Sequence, residues 1–438
     1  MNNAFLNSIL PWEKSVTKAE AVGMSSERLE RITTWLEQQV SSNRLAGCSA
    51  LVARHGEIVY QQCSGAADME VGKPFANDTV VRAYSMTKPI TTVAAMMLYE
   101  EGCFQLDDPV ALYLPEFLET RVWAGGNASL DQTYPQDTPM TVQHLMTHTS
   151  GLTYGFMQAN VVDEAYRNSG VGQPSDVKDL AEWVKRAAAI PLICQPGSQW
   201  NYSIATDVLG RLVEVWSGMS LQDFFQRRIF APLQMVDTGF HVKPENQARF
   251  AALYSPLSGA DMSNVAKSAD ALAGPKPIGL KLQEGSAKSS YFNPASVFSG
   301  GGGLVSTMSD YARFCQMLLN TGELDGQRLL GRKTVEFMRT NQLPNNSDMA
   351  DMGQPVWSET SYDGIGFGLG FAVVLDPVKA HIITSVGEHH WGGAASTFFW
   401  IDPEEDLYVI FLTQLMPSST YPIRRELRSR VYQALIGD

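Results

Sequence analysis

The chain predicts an α/β protein of the α+β type: an antiparallel sheet built from both chain ends and flanked by helices, with a mainly helical domain inserted between them. Three observations predict it. Strand-like runs gather near residues 48–62 and return over the last hundred residues. The stretch between them is helical in pattern and punctuated by Pro and Gly. One segment, Thr91 to Glu101, is apolar or small on almost every side, as a helix in the middle of a domain is. The 438 residues are about three times the roughly 150-residue domain prior, which allows several subdomains and a large core. The expected division is an N-terminal extension over 1–24, a discontinuous α/β domain over 25–106 and 345–438, and an inserted helical domain over 107–344 with a long loop around 255–303.

In chain order, Met24 to Glu37 carries a serine cap and apolar residues at three- and four-residue steps, which predicts a surface amphipathic helix. Cys48–Arg54 and Glu57–Gln62 flank His55-Gly56 and predict a hairpin. Helices follow over Val142–Met146, Asp179–Ala189, Ile204–Trp216, Leu221–Phe230 and Asp310–Asn320. The Gly/Ser/Ala/Pro-rich run from Ser255 to Gly303 ends in four glycines. No Gly-Lys-Ser/Thr follows them, so they read as tight backbone packing rather than a phosphate loop, and the run is long enough to roof a pocket. Strands return at Gly366–Val374, Ile382–Val386, Ser396–Ile401 and Leu407–Leu412, and Tyr421–Ile436 closes with an amphipathic helix.

Charge and composition narrow the function. Lys plus Arg number 33 against 46 Asp plus Glu, a formal −13, which works against nucleic acid or an anionic bilayer. A neutral or cationic small molecule is the expected partner. The five cysteines are odd in number and lack Cys-x-x-Cys spacing, which reads as buried thiols in a reducing compartment. Residues 1–13 lack the basic start and long apolar run of a signal peptide, and no stretch approaches the roughly 20 apolar residues of a membrane span. A cytoplasmic location is expected.

The chemistry centres on Ser85-Met86-Thr87-Lys88. A lysine three positions on lies one turn along the same helix face, so its amine can reach the Ser85 hydroxyl. Apolar surroundings and the positive end of the helix dipole both favour the neutral amine, and a serine hydroxyl needs such a neighbour before it can attack a carbonyl. Ser-x-x-Lys also occurs at Ser15–Lys18 and Ser175–Lys178. Ser15 lies in the polar extension, and Ser175 precedes a helix where an N-cap role explains it. Only Ser85 opens a helix apolar enough to dry out its lysine. Pro89 requires that helix to begin close to Ser85, with Pro89 in its first turn.

A serine hydrolase also needs a proton relay and an oxyanion site. Tyr202, at a helix start in the inserted domain, can present a hydroxyl to Ser85 across the interdomain cleft, and beside a protonated Lys88 its phenolate form is reachable; packing at the helix start explains it equally. Trp391-Gly392-Gly393-Ala394 opens a strand with paired glycines that allow close approach of a substrate carbonyl, and the Ala394 amide can join that of Ser85 as an oxyanion hole.

Ser85-Met86-Thr87-Lys88, Tyr202-Ser203-Ile204 and Trp391-Gly392-Gly393, in that order, resemble the three motifs of the serine β-lactamase and penicillin-binding-protein superfamily. The Trp-Gly-Gly in place of Lys-Thr-Gly resembles its family VIII carboxylesterases. Stretches His144–Leu152 and Gly302–Thr307 add to the resemblance, which covers roughly residues 25 to 435. It implies a β-lactamase/transpeptidase-like fold and a serine esterase acting on short-chain acyl esters through an acyl-enzyme. It also implies Ser85 as nucleophile, Lys88 and Tyr202 sharing the proton work, and no cofactor or metal. Two departures sharpen it: Ile204 stands where the lactamases carry an amide-holding Asn, and Trp391 where they carry a cation or histidine. Losing both polar anchors favours a neutral acyl ester, with Trp391 walling the acyl or alcohol pocket and some turnover of β-lactams such as cephalosporins retained.

Competing readings are a β-lactamase, D-amino-acid peptidase or acyltransferase of the same fold, and a non-catalytic ligand-binding relative. His144 and His148 have the i, i+4 spacing of zinc ligands, but the glutamate of His-Glu-x-x-His is absent and no metal site is expected. Glu388-His389-His390 reads either as a group tuning the cleft or as a solvated loop. No Gly-x-Ser-x-Gly surrounds any serine, which argues against the α/β-hydrolase fold.

Overall fold

The computed structural model describes residues 16–171, 177–257, 279–353, 362–418 and 420–437. The alternative Ser15 and Ser175 motif serines lie outside the described residues. Eleven helices of interest to the architecture run α1 Ser26–Ser41, α2 Thr87–Glu100, α3 Val142–Met146, α4 Val161–Asn168, α5 Leu180–Ala188, α6 Ala205–Ser217, α7 Leu221–Phe225, α8 Met308–Leu319, α9 Arg332–Met338, α10 Met349–Met352 and α11 Ile423–Tyr432. The strands are β1 Gly47–Arg54, β2 Glu57–Asp68, β3 Lys73–Pro74, β4 Val81–Arg82, β5 Leu253–Pro256, β6 Leu280–Glu284, β7 Val305–Ser306, β8 Ile365–Phe367, β9 Ala372–Val374, β10 His389–Gly392, β11 Phe398–Asp402 and β12 Leu407–Thr413. Short two-residue ladders elsewhere decorate the loops.

The main sheet has eight strands in the order β8-β9-β10-β11-β12-β1-β2-β3, antiparallel throughout. Both ends of the chain meet at its centre, where Cys48 faces Thr413 and Arg54 faces Leu407. Every residue of β1 is buried, because the sheet is covered on both faces. Period-two alternation sorts the side chains. Cys48, Ala50, Val52, Trp400, Val409 and Phe411 meet α1 and α11 on the outer face. Leu51, Ala53, Phe399, Ile401, Ile410 and Leu412 join the larger core around α2 and α8 on the inner face. The hairpin turns at His55 and Gly56, both at positive φ.

Three details differ from the sequence reading. Gly366–Val374 is two strands rather than one, folded back through Gly370 at φ 91°. Ile382–Val386 forms no strand: Ile383 and Val386 are exposed, so this apolar run has no second layer to bury against. Part of the expected loop 255–303 is the hairpin β5–β6, whose Tyr254 bonds on both sides to the chain after β12. The same hairpin ties part of the expected insertion to the sheet, as the Thr17 N–H bond to Ile58 O (2.8 Å) ties the end of the expected N-terminal extension.

Candidate active site

The chain rises through β4, which pairs with β7, and turns sharply at Ser85 into α2. Tyr84 takes φ 45°, a left-handed conformation that costs an L-residue free energy and that the surroundings must hold. They do so from several sides. Leu304 O accepts from Ala83 N–H (2.9 Å), Met86 O accepts from the Tyr311 hydroxyl (2.9 Å), and Thr87 Oγ1 accepts from Leu304 N–H (3.2 Å). Pro89 is the third residue of α2, where its missing N–H has no intrahelical partner to lose. The first twelve residues of α2 are all buried, Lys88 at 1 % exposure.

Ser85 is half-buried, and two groups reach its oxygen. Lys88 Nζ lies 3.3 Å away and the Tyr202 hydroxyl donates at 2.6 Å. Lys88 Nζ also donates to Gly301 O (2.7 Å) and to the Tyr154 hydroxyl (3.0 Å). All three partners of the amine are neutral. Burial, outweighing the nearby Asp207 carboxylate, lowers Lys88 from 10.5 to about 7. At about 1.4 kcal/mol per tenfold, that is on the order of 5 kcal/mol against the ammonium form. The amine is therefore poised to exchange a proton near neutrality.

Tyr202 behaves in the opposite sense to the sequence expectation. Burial raises its phenol well above the ordinary value, although the bonds with Ser85 and Trp391 pull it down. It is a protonated donor at neutral pH, and the phenolate form is disfavoured. Asn201, one residue before it, anchors this entry to α6 by donating to Leu152 O (2.8 Å).

The third motif comes from β10, which packs against the Ser85 turn. Gly393 is a position where no other residue fits: a Cβ there would stand 2.4 Å from Ala83 O. That close approach brings Gly393 and the following Ala394 beside the turn that carries Ser85. Gly392 is similarly crowded, by Arg424. The Trp391 indole lies against Tyr202 (ring centroids 5.5 Å) and meets Phe367 edge-on at 5.3 Å. With Trp200 these rings form an aromatic wall. Ile204 is buried at the start of α6.

Sequence reasoning missed three members of this cluster. Tyr154 is the second phenol on Lys88, stacked on Phe156 at 4.6 Å. Asp207, on α6, accepts from Gly301 N–H (2.9 Å) and the Ser299 hydroxyl (2.5 Å), so Gly301 links the acid to the amine through its N–H and its carbonyl. A Cβ on Gly301 would stand 2.4 Å from Asp207 Oδ2, which is the tight packing the four glycines predict. Tyr154 follows the family-like stretch His144–Leu152 by two residues, and that proximity was the one available signal.

The histidines hold structure. His144 Nδ1 accepts from Thr141 N–H in a capping box, and buried His148 bonds to Ser203 and packs on Tyr202 at 5.0 Å. Among the described residues no group of three metal-ligating side chains converges. Glu388-His389-His390 is not a solvated loop: Glu388 is fully buried and ion-paired to Arg428. All five cysteines are free thiols, with Cys63 and Cys103 half-buried rather than buried. No helix among the described residues is long and apolar enough to cross a membrane.

Comparison with known proteins places the fold. The Beta-lactamase family profile matches residues 32–433. Esterase EstB of Burkholderia gladioli is 34 % identical over 92 % of this chain and 94 % of its own. Monacolin J acid methylbutanoyltransferase of Aspergillus terreus is 28 % identical over 90 % of this chain and 92 % of its own. The solved structure of EstCE1, described as a hydrolase with promiscuous acyltransferase activity, superposes with a TM-score of 0.72 at 28 % identity, covering 93 % of this chain and 99 % of that one. With its antiparallel sheet, flanking helices and these relatives, the chain belongs to the beta-lactamase family, in the esterase branch that its motifs resemble.

Proposed function

We propose that the protein is a serine carboxylesterase that hydrolyses short-chain acyl esters through an acyl-enzyme on Ser85. One observation carries the reading: the Ser85 oxygen sits 3.3 Å from a buried amine with only neutral hydrogen-bond partners and 2.6 Å from a protonated phenol. Neutral Lys88 takes the hydroxyl proton as Ser85 Oγ bonds to the ester carbonyl carbon. The Tyr202 hydroxyl, already donating toward that point, delivers a proton to the departing alkoxide. Lys88, now charged, restores the Tyr202 proton. Water then repeats the sequence on the acyl-enzyme and releases the acid. The amides of Ser85 and Ala394 hold the oxyanion, supported by the seating of Gly393 on Ala83. Tyr154 holds the amine in line from its far side. Gly392 and Gly393 keep the strand open to the carbonyl, and Trp391, backed by the buried Phe367, offers an apolar surface to a neutral acyl group, consistent with esters over anionic amides.

The named relatives support hydrolysis of esters and, as a second reading, transfer of the acyl group to an alcohol in place of water. A panel of p-nitrophenyl esters on the parent and Ser85→Ala, with methanol or butanol added, separates them. The esterase reading expects acid as the main product, complete loss in Ser85→Ala, and slower turnover of a chromogenic cephalosporin. A main product of transferred ester, or a preference for the cephalosporin, overturns it. Absence of a Ser85 adduct after a fluorophosphonate probe would favour a ligand-binding relative.

A further inference from the structure

The strand that carries Trp391 is paired on one side only where it carries the indole. Toward β9, β10 pairs only at His389 and His390, so at Trp391 and Gly392 its ladder has a partner on one side, in β11. Trp391 faces inward to Tyr202, while its neighbour His390 points to the outer face. There His390 Nδ1 lies 2.8 Å from Glu388 Oε1. Glu388 is completely buried and receives the fork of Arg428 from α11, at 2.7 and 3.1 Å. Its second oxygen also accepts from the Thr384 hydroxyl, whose oxygen lies 2.9 Å from that of the Tyr432 hydroxyl. Tyr432 in turn donates to Asp402 Oδ2 at the end of β11 (2.7 Å). The cluster therefore fastens β10, β11 and α11 to one another from behind the catalytic face.

We propose that Glu388 is a positioning residue: clamped by Arg428, its carboxylate fixes His390 and with it the one-sided end of β10, so that Trp391 keeps its indole against Tyr202. The charge is well kept. Burial pushes the Glu388 carboxyl up, but the Arg428 guanidinium and the His390 contact outweigh it and hold the group well below the usual carboxylate range. A fully bonded carboxylate has one low-energy placement, whereas an apolar substitute would leave the strand end free to shift, and small displacements near reacting groups are costly.

The inference rests on the esterase reading for its kinetic arm only. In Glu388→Gln, kcat on p-nitrophenyl butyrate should fall about tenfold while KM stays within about twofold. The near-UV circular dichroism difference between a protein and its Trp391→Phe derivative, which needs no turnover, should shrink in the Glu388→Gln background. The control is Glu426→Gln, on the same helix as Arg428, which removes the carboxylate charge paired with Arg44; it should lower Tm yet keep kcat within about twofold. If Glu388→Gln does not fold, His390→Leu cuts the strand from the carboxylate, leaves the Glu388–Arg428 pair intact, and carries the same expectations. A folded Glu388→Gln or His390→Leu with parental kcat and an unchanged Trp391 signal overturns the proposal, as does an equal loss of kcat in Glu426→Gln. A parent without ester turnover instead overturns the functional reading, and the dichroism difference still decides the positioning.

Discussion

Two buried titratable clusters flank the third-motif strand, and they resolve the same desolvation problem in opposite ways. On the inner face, the hydrogen-bond partners of Lys88 are a hydroxyl, a phenol and a peptide carbonyl, all neutral, so burial lowers its pKa and releases its proton. On the outer face, Glu388 receives an arginine fork and a histidine contact, so it stays ionised in spite of burial. A buried charge denied an ionic partner becomes a base; a buried charge given every partner becomes a fastener. Asp207 shows how finely the first outcome is set. It lies near enough to pull Lys88 upward, yet it bonds to Ser299 and Gly301 rather than to the amine.

The largest effect expected on that contrast is chemical. Ser85→Ala and Lys88→Met should each cost about 10⁴-fold or more in kcat/KM, whereas Ser15→Ala and Ser175→Ala should be neutral in the same ester assay. Tyr202→Phe should cost about 10²- to 10³-fold, with the loss greatest for esters of poorly leaving alcohols, because it deletes the proton returned to the alkoxide. Acylation needs the neutral amine, so the rate of Ser85 labelling should rise with pH through a midpoint near 7. Tyr154→Phe should lower the rate about tenfold and move that midpoint. A flat profile between pH 6 and 8 would break the assignment of Lys88 as the base.

Stability sharpens the comparison with smaller effects. Glu388→Gln removes the charge opposite Arg428 and should cost about 3 kcal/mol by denaturant unfolding. Lys88→Met should behave differently. Unfolded, Lys88 titrates at its ordinary 10.5; folded, at about 7. Between those values the unfolded chain binds the extra proton, so this group's contribution to stability rises with pH, and its full cost is present below 7. The Tm of Lys88→Met relative to the parent should therefore be most favourable near pH 7 and decline toward pH 10. A Tm difference constant over that range, measured by calorimetry, would contradict the depressed amine.

Residues in sequence contact were readable and residues in spatial contact alone were not. Ser85 and Lys88 share one helical turn, and the apolar run of α2 announces burial, so the pair could be picked from among three such spacings. The hairpin at His55-Gly56 was equally local. Tyr202 and Trp391 carried no periodic signature; a helix start and a pair of glycines marked them only as candidates, and the resemblance of ordered motifs gave them their roles. Tyr154 and Gly301 meet Lys88 across 66 and 213 positions, with neither a charge pattern nor a motif to link them. Glu388-His389-His390 looked like a polar loop because its partner, Arg428, stands forty residues further on in a helix whose pattern says only that it is amphipathic. Ile382–Val386 misled for the converse reason: it has strand composition with no layer above it.

The central seam of the sheet joins Cys48 to Thr413, strands about 365 positions apart. At ribosomal rates of roughly 5–20 residues per second, the β1–β2 hairpin emerges about 20–70 s before the strand that completes it. Throughout that interval an unpaired strand edge, apolar apart from Ser49 and Arg54, stands open to any neighbouring nascent chain. Yield in a heterologous host should accordingly depend on translation speed and chaperone supply far more than on the finished enzyme's resistance to heat.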